Sequence, residues 1–158
     1  MSIKISFSPN SIEEEKKYIS YTKKLGPWLK KNGYIFNVPT IFLKKMYIQK
    51  EYDNYIKILK SRWKKEEGEY LAKLNYFFGG KINLAIIVKI SRYGVGGTYF
   101  LPGGQKATVT INITAPYNHI NVIKHEITHI LVEPFVHKYK IKHFKKEKIV
   151  DAIFELLK

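Results

Sequence analysis

The segment His125-Glu126-Ile127-Thr128-His129 constrains this chain more than any other. It reads H-E-x-x-H, a spacing that makes chemical sense on a helix. Residues four apart lie about one turn apart on the same helical face, so His125 and His129 can aim both imidazoles at one zinc ion. Glu126 is offset by roughly 100°. That sets its carboxylate beside the ion, where it can take a proton from a zinc-activated water. The flanks favour a helix. No Pro or Gly falls within residues 121–133, and Ile123, Ile127, Ile130 and Leu131 supply an apolar stripe that buries the side away from the metal. Asn118 is placed to cap the N-terminus. The bland alternative is a surface helix carrying two solvated His and one Glu.

A catalytic zinc takes three protein ligands and keeps a position open for water, so a third ligand must exist. Glu133 would lie about 12 Å along the axis from His125, too far for one ion, and is expected to end the helix before Pro134. His137 and His143 fall in a Lys-rich stretch, residues 136–148, that reads as a solvated loop. The metzincin pattern needs a Gly three residues and a His six residues past the second His. Those positions hold Val132 and Phe135, which excludes it. Glu147 is the remaining candidate. It opens a helical pattern with Ile149, Val150, Ile153, Phe154 and Leu157 as the apolar face, and Asp151 lies one turn on, on the same face. Glu147 would close the coordination sphere. Asp151 would accept the Nδ1–H of His125, fixing its tautomer and leaving Nε2 for the metal. The alternative is that both are ordinary surface acids. Against it, acids are scarce, 13 Asp+Glu against 28 Lys+Arg, yet Glu147, Asp151 and Glu155 recur at every fourth position.

The run V-I-K-H-E-I-T-H-I-L followed by E-K-I-V-D resembles the gluzincin metallopeptidases, the thermolysin-like branch of the zincins. In that family an active-site helix carries H-E-x-x-H and a separate glutamate helix carries E-x-x-x-D. The resemblance implies His125, His129 and Glu147 as zinc ligands, Glu126 as general base and acid, and Asp151 as the partner of His125. The short chain is also similar to the minimal archaeal gluzincins (minigluzincins). The motifs cover residues 122–151 only. The fold implied is α+β and zincin-like: N-terminal helices, a small mixed or antiparallel sheet with an edge strand lining the cleft, the H-E-x-x-H helix, and a C-terminal glutamate helix. A single domain over residues 1–158 is expected, with 1–37 as an N-terminal helical extension and 38–158 as the zincin core. The activity implied is zinc-dependent hydrolysis of a peptide or protein substrate, by an active enzyme or a latent form of one. A tetrahedral oxyanion needs a donor besides the metal. Tyr139, His137 and His143, between the two motifs, are the candidates, and nothing in the sequence chooses among them.

The layout agrees with one small domain. The chain has 158 residues, of which 45% are hydrophobic, enough for a single core. There is no Cys, hence no disulfide framework and no thiolate metal site. The N-terminus lacks a long apolar run and no stretch approaches a membrane span, so a soluble, cytoplasmic protein with no membrane partner is expected. Residues 11–31 read as an amphipathic helix with a Ser11/Glu14 capping box. Residues 40–77 read as a second long helical stretch, with a split near Glu67-Gly68. Residues 82–90 read as a strand buried on both faces. Residues 98–101 form a short strand, and Pro102-Gly103-Gly104 a tight hairpin. Residues 106–114 alternate cleanly. This last strand precedes the active-site helix, so Thr108, Thr110 and Asn112 are assigned to an edge that takes an extended peptide by strand addition. An open edge also allows pairing with a second copy, so a homodimer is among the partners the sequence permits. The formal net charge of +15 raises an alternative, a basic nucleic-acid-binding or structural zinc protein without peptidase activity. Its Lys residues are spread along the chain and no nucleic-acid-binding motif stands out, so a solvated Lys-rich surface is the preferred reading.

Overall fold

A computed structural model describes residues 2–42, 44–79 and 83–158. Among them the chain is α+β, with four α-helices and a small mixed sheet. The first strand, β1 (Ser2–Pro9), alternates Ile3, Ile5 and Phe7 with polar residues. The sequence reading assigned no element here and placed these residues in a helical extension. They instead pair in parallel with β3 (Asn83–Ser91) over eight positions, from Ser2↔Asn83 to Pro9↔Ile90. α1 (Ile12–Lys31) begins as expected: the Ser11 hydroxyl accepts from the Glu14 N–H, and the Glu14 carboxylate accepts from the Ser11 N–H. A two-residue strand, β2 (Phe36–Asn37), pairs with β4 (Gly94–Val95).

α2 (Gln49–Phe78) starts later than expected, after a 3-10 turn at Lys44–Met46, and does not split. Gly68 lies on its exposed face, while Trp63 and Tyr70 on either side are buried, so core packing carries the helix through the glycine. β3 is buried on one face only: Leu84, Ile86, Val88 and Ile90 point into the core, while Ala85 and Ile87 do not. The expectation of a two-sided strand fails because α2 and α3 pack on the same side, and its proposed first residue, Ile82, lies outside the described residues.

β5 (Gly97–Phe100) and β6 (Lys106–Asn112) form the hairpin, antiparallel, and β6 runs parallel to β3. The sheet order is β1-β3-β6-β5. β6 is therefore an interior strand, paired on both sides, and the assignment of Thr108, Thr110 and Asn112 to a substrate-binding edge is corrected. The outer strands are β1 and β5, and β5 is the one beside β6. α3 (His119–Lys138) packs on β5 and β6, capped by the Asn118 side chain, which accepts from the Ile120 N–H. Pro134 does not end it. The turn after the proline is held by Val132 and Val136, packed on Val150 of α4 (His143–Leu157). The stretch expected to be a loop is thus mostly helix, with residues 139–142 as a tight connection in which Lys140 takes φ 50°. Among the described residues no helix is long and apolar enough to cross a membrane.

Candidate metal centre

α3 and α4 bring the residues of the two motifs together. One ligand atom from each of His125, His129 and Glu147 lies within 4.8 Å of the others. His129 Nε2 stands 3.3 Å from Glu147 Oε2. Around a tetrahedral zinc with bonds near 2.0–2.1 Å, neighbouring ligand atoms are about 3.4 Å apart. One edge of the cluster already has that length, and the others need only side-chain closure. His129 is almost fully buried; its Nδ1 has no hydrogen-bond partner, and Nε2 is the ring nitrogen that faces Glu147. Two imidazoles and three carboxylates (Glu126, Glu147, Asp151) converge in a chain whose net charge is strongly positive, and such a group suits a divalent cation.

Asp151 meets His125, with Oδ1 at 3.0 Å from the ring, but from Nε2 rather than the expected Nδ1. Nδ1 lies 3.8 Å from Glu126 Oε1. Burial pushes the pKa of His125 down, but the hydrogen bonds and charges of Glu126 and Asp151 outweigh it and raise the value. Burial pushes Glu147 up, and the His129 contact with the charges of His129, His143 and Lys146 outweighs it and lowers the value.

Glu126 is 8% exposed. It lies against Gly97 of β5. A Cβ at Gly97 would stand 2.5 Å from Val122 Cγ1 and 2.7 Å from Glu126 Oε1. Beyond it opens a cleft of about 550 Å³. Its walls are Gly33, Tyr34 and Ile35 on one side and residues of β4, β5, α3 and α4 on the other, with His125 and Glu126 facing in.

The sequence reading missed several neighbours. Tyr99 of β5 stacks on His129, with centroids 5.3 Å apart and planes at 17°. Its hydroxyl donates to Glu133 Oε2 at 2.8 Å and accepts from Lys146 Nζ at 3.0 Å. Phe154 meets His125 edge-on at 5.5 Å. Of the three candidate oxyanion donors, His137 is exposed and faces Glu133, and Tyr139 is exposed against Phe135. Only His143 reaches the cluster, 3.5 Å from Glu147 Oε1. Thr108, Thr110 and Asn112 lie on the sheet face opposite α3, since the alternate residues Val109 and Ile111 are the ones in the core with Ile123 and Ile127. Asn112 there donates to Asn37 Oδ1 and to the Gly94 carbonyl.

Comparison with protein-family models, with curated proteins and with solved structures finds no match for this chain.

Proposed function

We propose that the protein is a zinc-dependent metallopeptidase of gluzincin type on a zincin-like fold. The observation that carries this reading is the convergence of His125, His129 and Glu147 with Glu126 beside them, where His125 and Glu126 line an open cleft next to the edge strand β5. The donor set fits zinc, and zinc held there would supply Lewis acidity to a water and to the scissile carbonyl. Glu126 takes the proton of the attacking water and passes it to the leaving amine. Its packing against Gly97 and Val122 limits the directions its carboxylate can take. Asp151 orients His125, and Tyr99 holds the plane of His129. β5, rather than β6, is the strand along which an extended peptide lies.

The charge of +15 favours a second reading, a basic nucleic-acid-binding or structural zinc protein. Metal analysis of the purified protein, with digestion of a broad peptide library, separates the two. The peptidase reading expects about one zinc per chain and cleavage that a chelator removes and added zinc restores. A protein unable to take up zinc, or one that holds zinc and cleaves no peptide, overturns it.

A further inference from the structure

The third residue of the cluster is held from outside by side chains that the two motifs do not contain. His143 opens α4 one turn before Glu147, and its Nδ1 faces Glu147 Oε1 at 3.5 Å. Its other nitrogen, Nε2, stands 3.2 Å from the Tyr34 hydroxyl. Tyr34 comes from the short connection between α1 and β2, and that connection is anchored at both ends. On one side Gly33 takes φ 76° and the Tyr34 N–H donates to the Leu29 carbonyl at 3.0 Å. On the other, Phe36 and Asn37 pair with β4. Trp28 fills the angle, stacked on Tyr34 at 5.6 Å and edge-on to His143 at 5.5 Å. Tyr34 is therefore a fixed wall of the cleft.

A neutral imidazole has one N–H and one bare nitrogen, and the partner of one nitrogen decides the state of the other. The Tyr34 phenol carries a proton that it can donate. When that O–H donates to Nε2, the His143 proton sits on Nδ1 and faces Glu147 Oε1. With Oε1 turned toward His143 at 3.5 Å, an ion-pair distance, Oε2 is the oxygen beside His129 Nε2.

We propose that Tyr34 and His143 form an outer relay that fixes Glu147 as a one-oxygen metal ligand, making the N-terminal segment part of the metal centre. The inference rests on the metal-site reading above. Both are positioning residues, acting on the cluster through Glu147. Each residue of the cluster then has an outside partner: Asp151 for His125, the stacked Tyr99 for His129, and His143 for Glu147.

Cobalt(II) titration followed by visible absorption tests it. His143→Leu is expected to weaken cobalt affinity roughly 10–100-fold, the range for outer partners of metal ligands, and to shift the visible band as the carboxylate changes its mode. Tyr34→Phe should move both readouts in the same direction, by roughly tenfold or less. His143→Asn keeps a donor near the Nδ1 position and should recover most of the affinity. In that background Tyr34→Phe should change nothing, because the second nitrogen is gone. The thermal stability of the metal-free variants should match the parent. Parental affinity and spectrum in Tyr34→Phe and His143→Leu would overturn the relay while leaving the metal site intact. So would an equal effect of Tyr34→Phe in both backgrounds, or a loss matched by lost metal-free stability. A parent that takes up neither cobalt nor zinc removes the metal reading itself.

Discussion

Gly97→Ala adds one methyl group where β5 lies against α3, and the structure sets what that methyl meets. The new Cβ would stand 2.5 Å from Val122 Cγ1 and 2.7 Å from Glu126 Oε1, where ordinary contact begins near 3.4 Å. Roughly 0.7–0.9 Å of retreat is therefore needed to leave the repulsive range. Val122 cannot supply it cheaply, because a β-branched side chain on a helix has one strongly preferred χ1. The Glu126 carboxylate can swing, and β5 can lift at the sheet edge. Either movement displaces the base relative to the cleft. Overpacking of this kind costs about 1–3 kcal/mol of stability, and a displacement near 1 Å at the reacting groups costs on the order of 100-fold in rate. Zinc binding should survive, since the atoms nearest the methyl belong to Val122 and Glu126, neither of them a proposed ligand. Denaturant unfolding, zinc content and turnover of a quenched fluorescent peptide are measured on the same preparation. A variant with parental stability and turnover within about twofold of the parent would show that the contact does not constrain Glu126.

Glu126→Gln should retain zinc and lose hydrolysis, because the amide cannot accept the proton; cleavage at the parental rate would show that the base is another group. Asp151→Ala should weaken zinc affinity roughly 10–100-fold. Glu155→Ala, which removes only the contact with Lys158, should do little, and equal effects from both would mean that α4 acts through general charge alone. Glu15 is fully buried and accepts from the Tyr52 hydroxyl at 2.7 Å, Asn10 Nδ2 at 2.9 Å and the Arg92 N–H at 3.0 Å. Glu15→Ala strands three donors and should cost about 3–5 kcal/mol in denaturant unfolding; a loss under about 1 kcal/mol would count against the network. In the metal-free protein, the raised pKa of His125 contributes stability that is fully present below the unfolded value near 6.5 and lost as pH rises through the folded value. The melting temperature of the metal-free parent should therefore exceed that of His125→Gln at acidic pH and converge on it at alkaline pH; a gap that widens with pH reverses the assigned sign.

What the sequence shows of this fold depends on how local each feature is. The capping box of α1, the Asn118 cap of α3 and the β5–β6 hairpin are legible because their partners lie within a few residues. β1 was missed although it alternates, because its partner is β3, some eighty positions away, and nothing local announces a parallel pairing. The connection after Pro134 was misread for a related reason. Lys-rich composition describes the solvent face of α4, while the packing of Val132, Val136 and Val150 that keeps both segments helical is tertiary. The site divides in the same way. One turn of helix relates His125 to His129, and one turn relates Glu147 to Asp151, so each half reads from spacing. Tyr34, Tyr99 and Gly97 reach the cluster only through the register of the sheet and the path of the chain beyond α1.

The misplaced edge strand shows where period-based reasoning stops. The clean alternation of β6 points to it as the edge, but alternation reports that one face is buried and says nothing of how many neighbours a strand has. β6 has two, and its polar face looks away from α3. β5 has the weaker signal, four residues led by a glycine and following Gly96. Those glycines are what the geometry demands. A Cβ at Gly96 would stand 2.7 Å from the Tyr117 ring, and one at Gly97 would meet Val122 and Glu126. Two residues later the same face presents Tyr99 to His129. The feature that makes β5 a poor strand by propensity is the one that lets it lie against the candidate catalytic residues. A local rule broken beside a cluster of ionisable groups is what a functional site is expected to leave in a sequence, and here it marks β5 as the strand bordering the cleft.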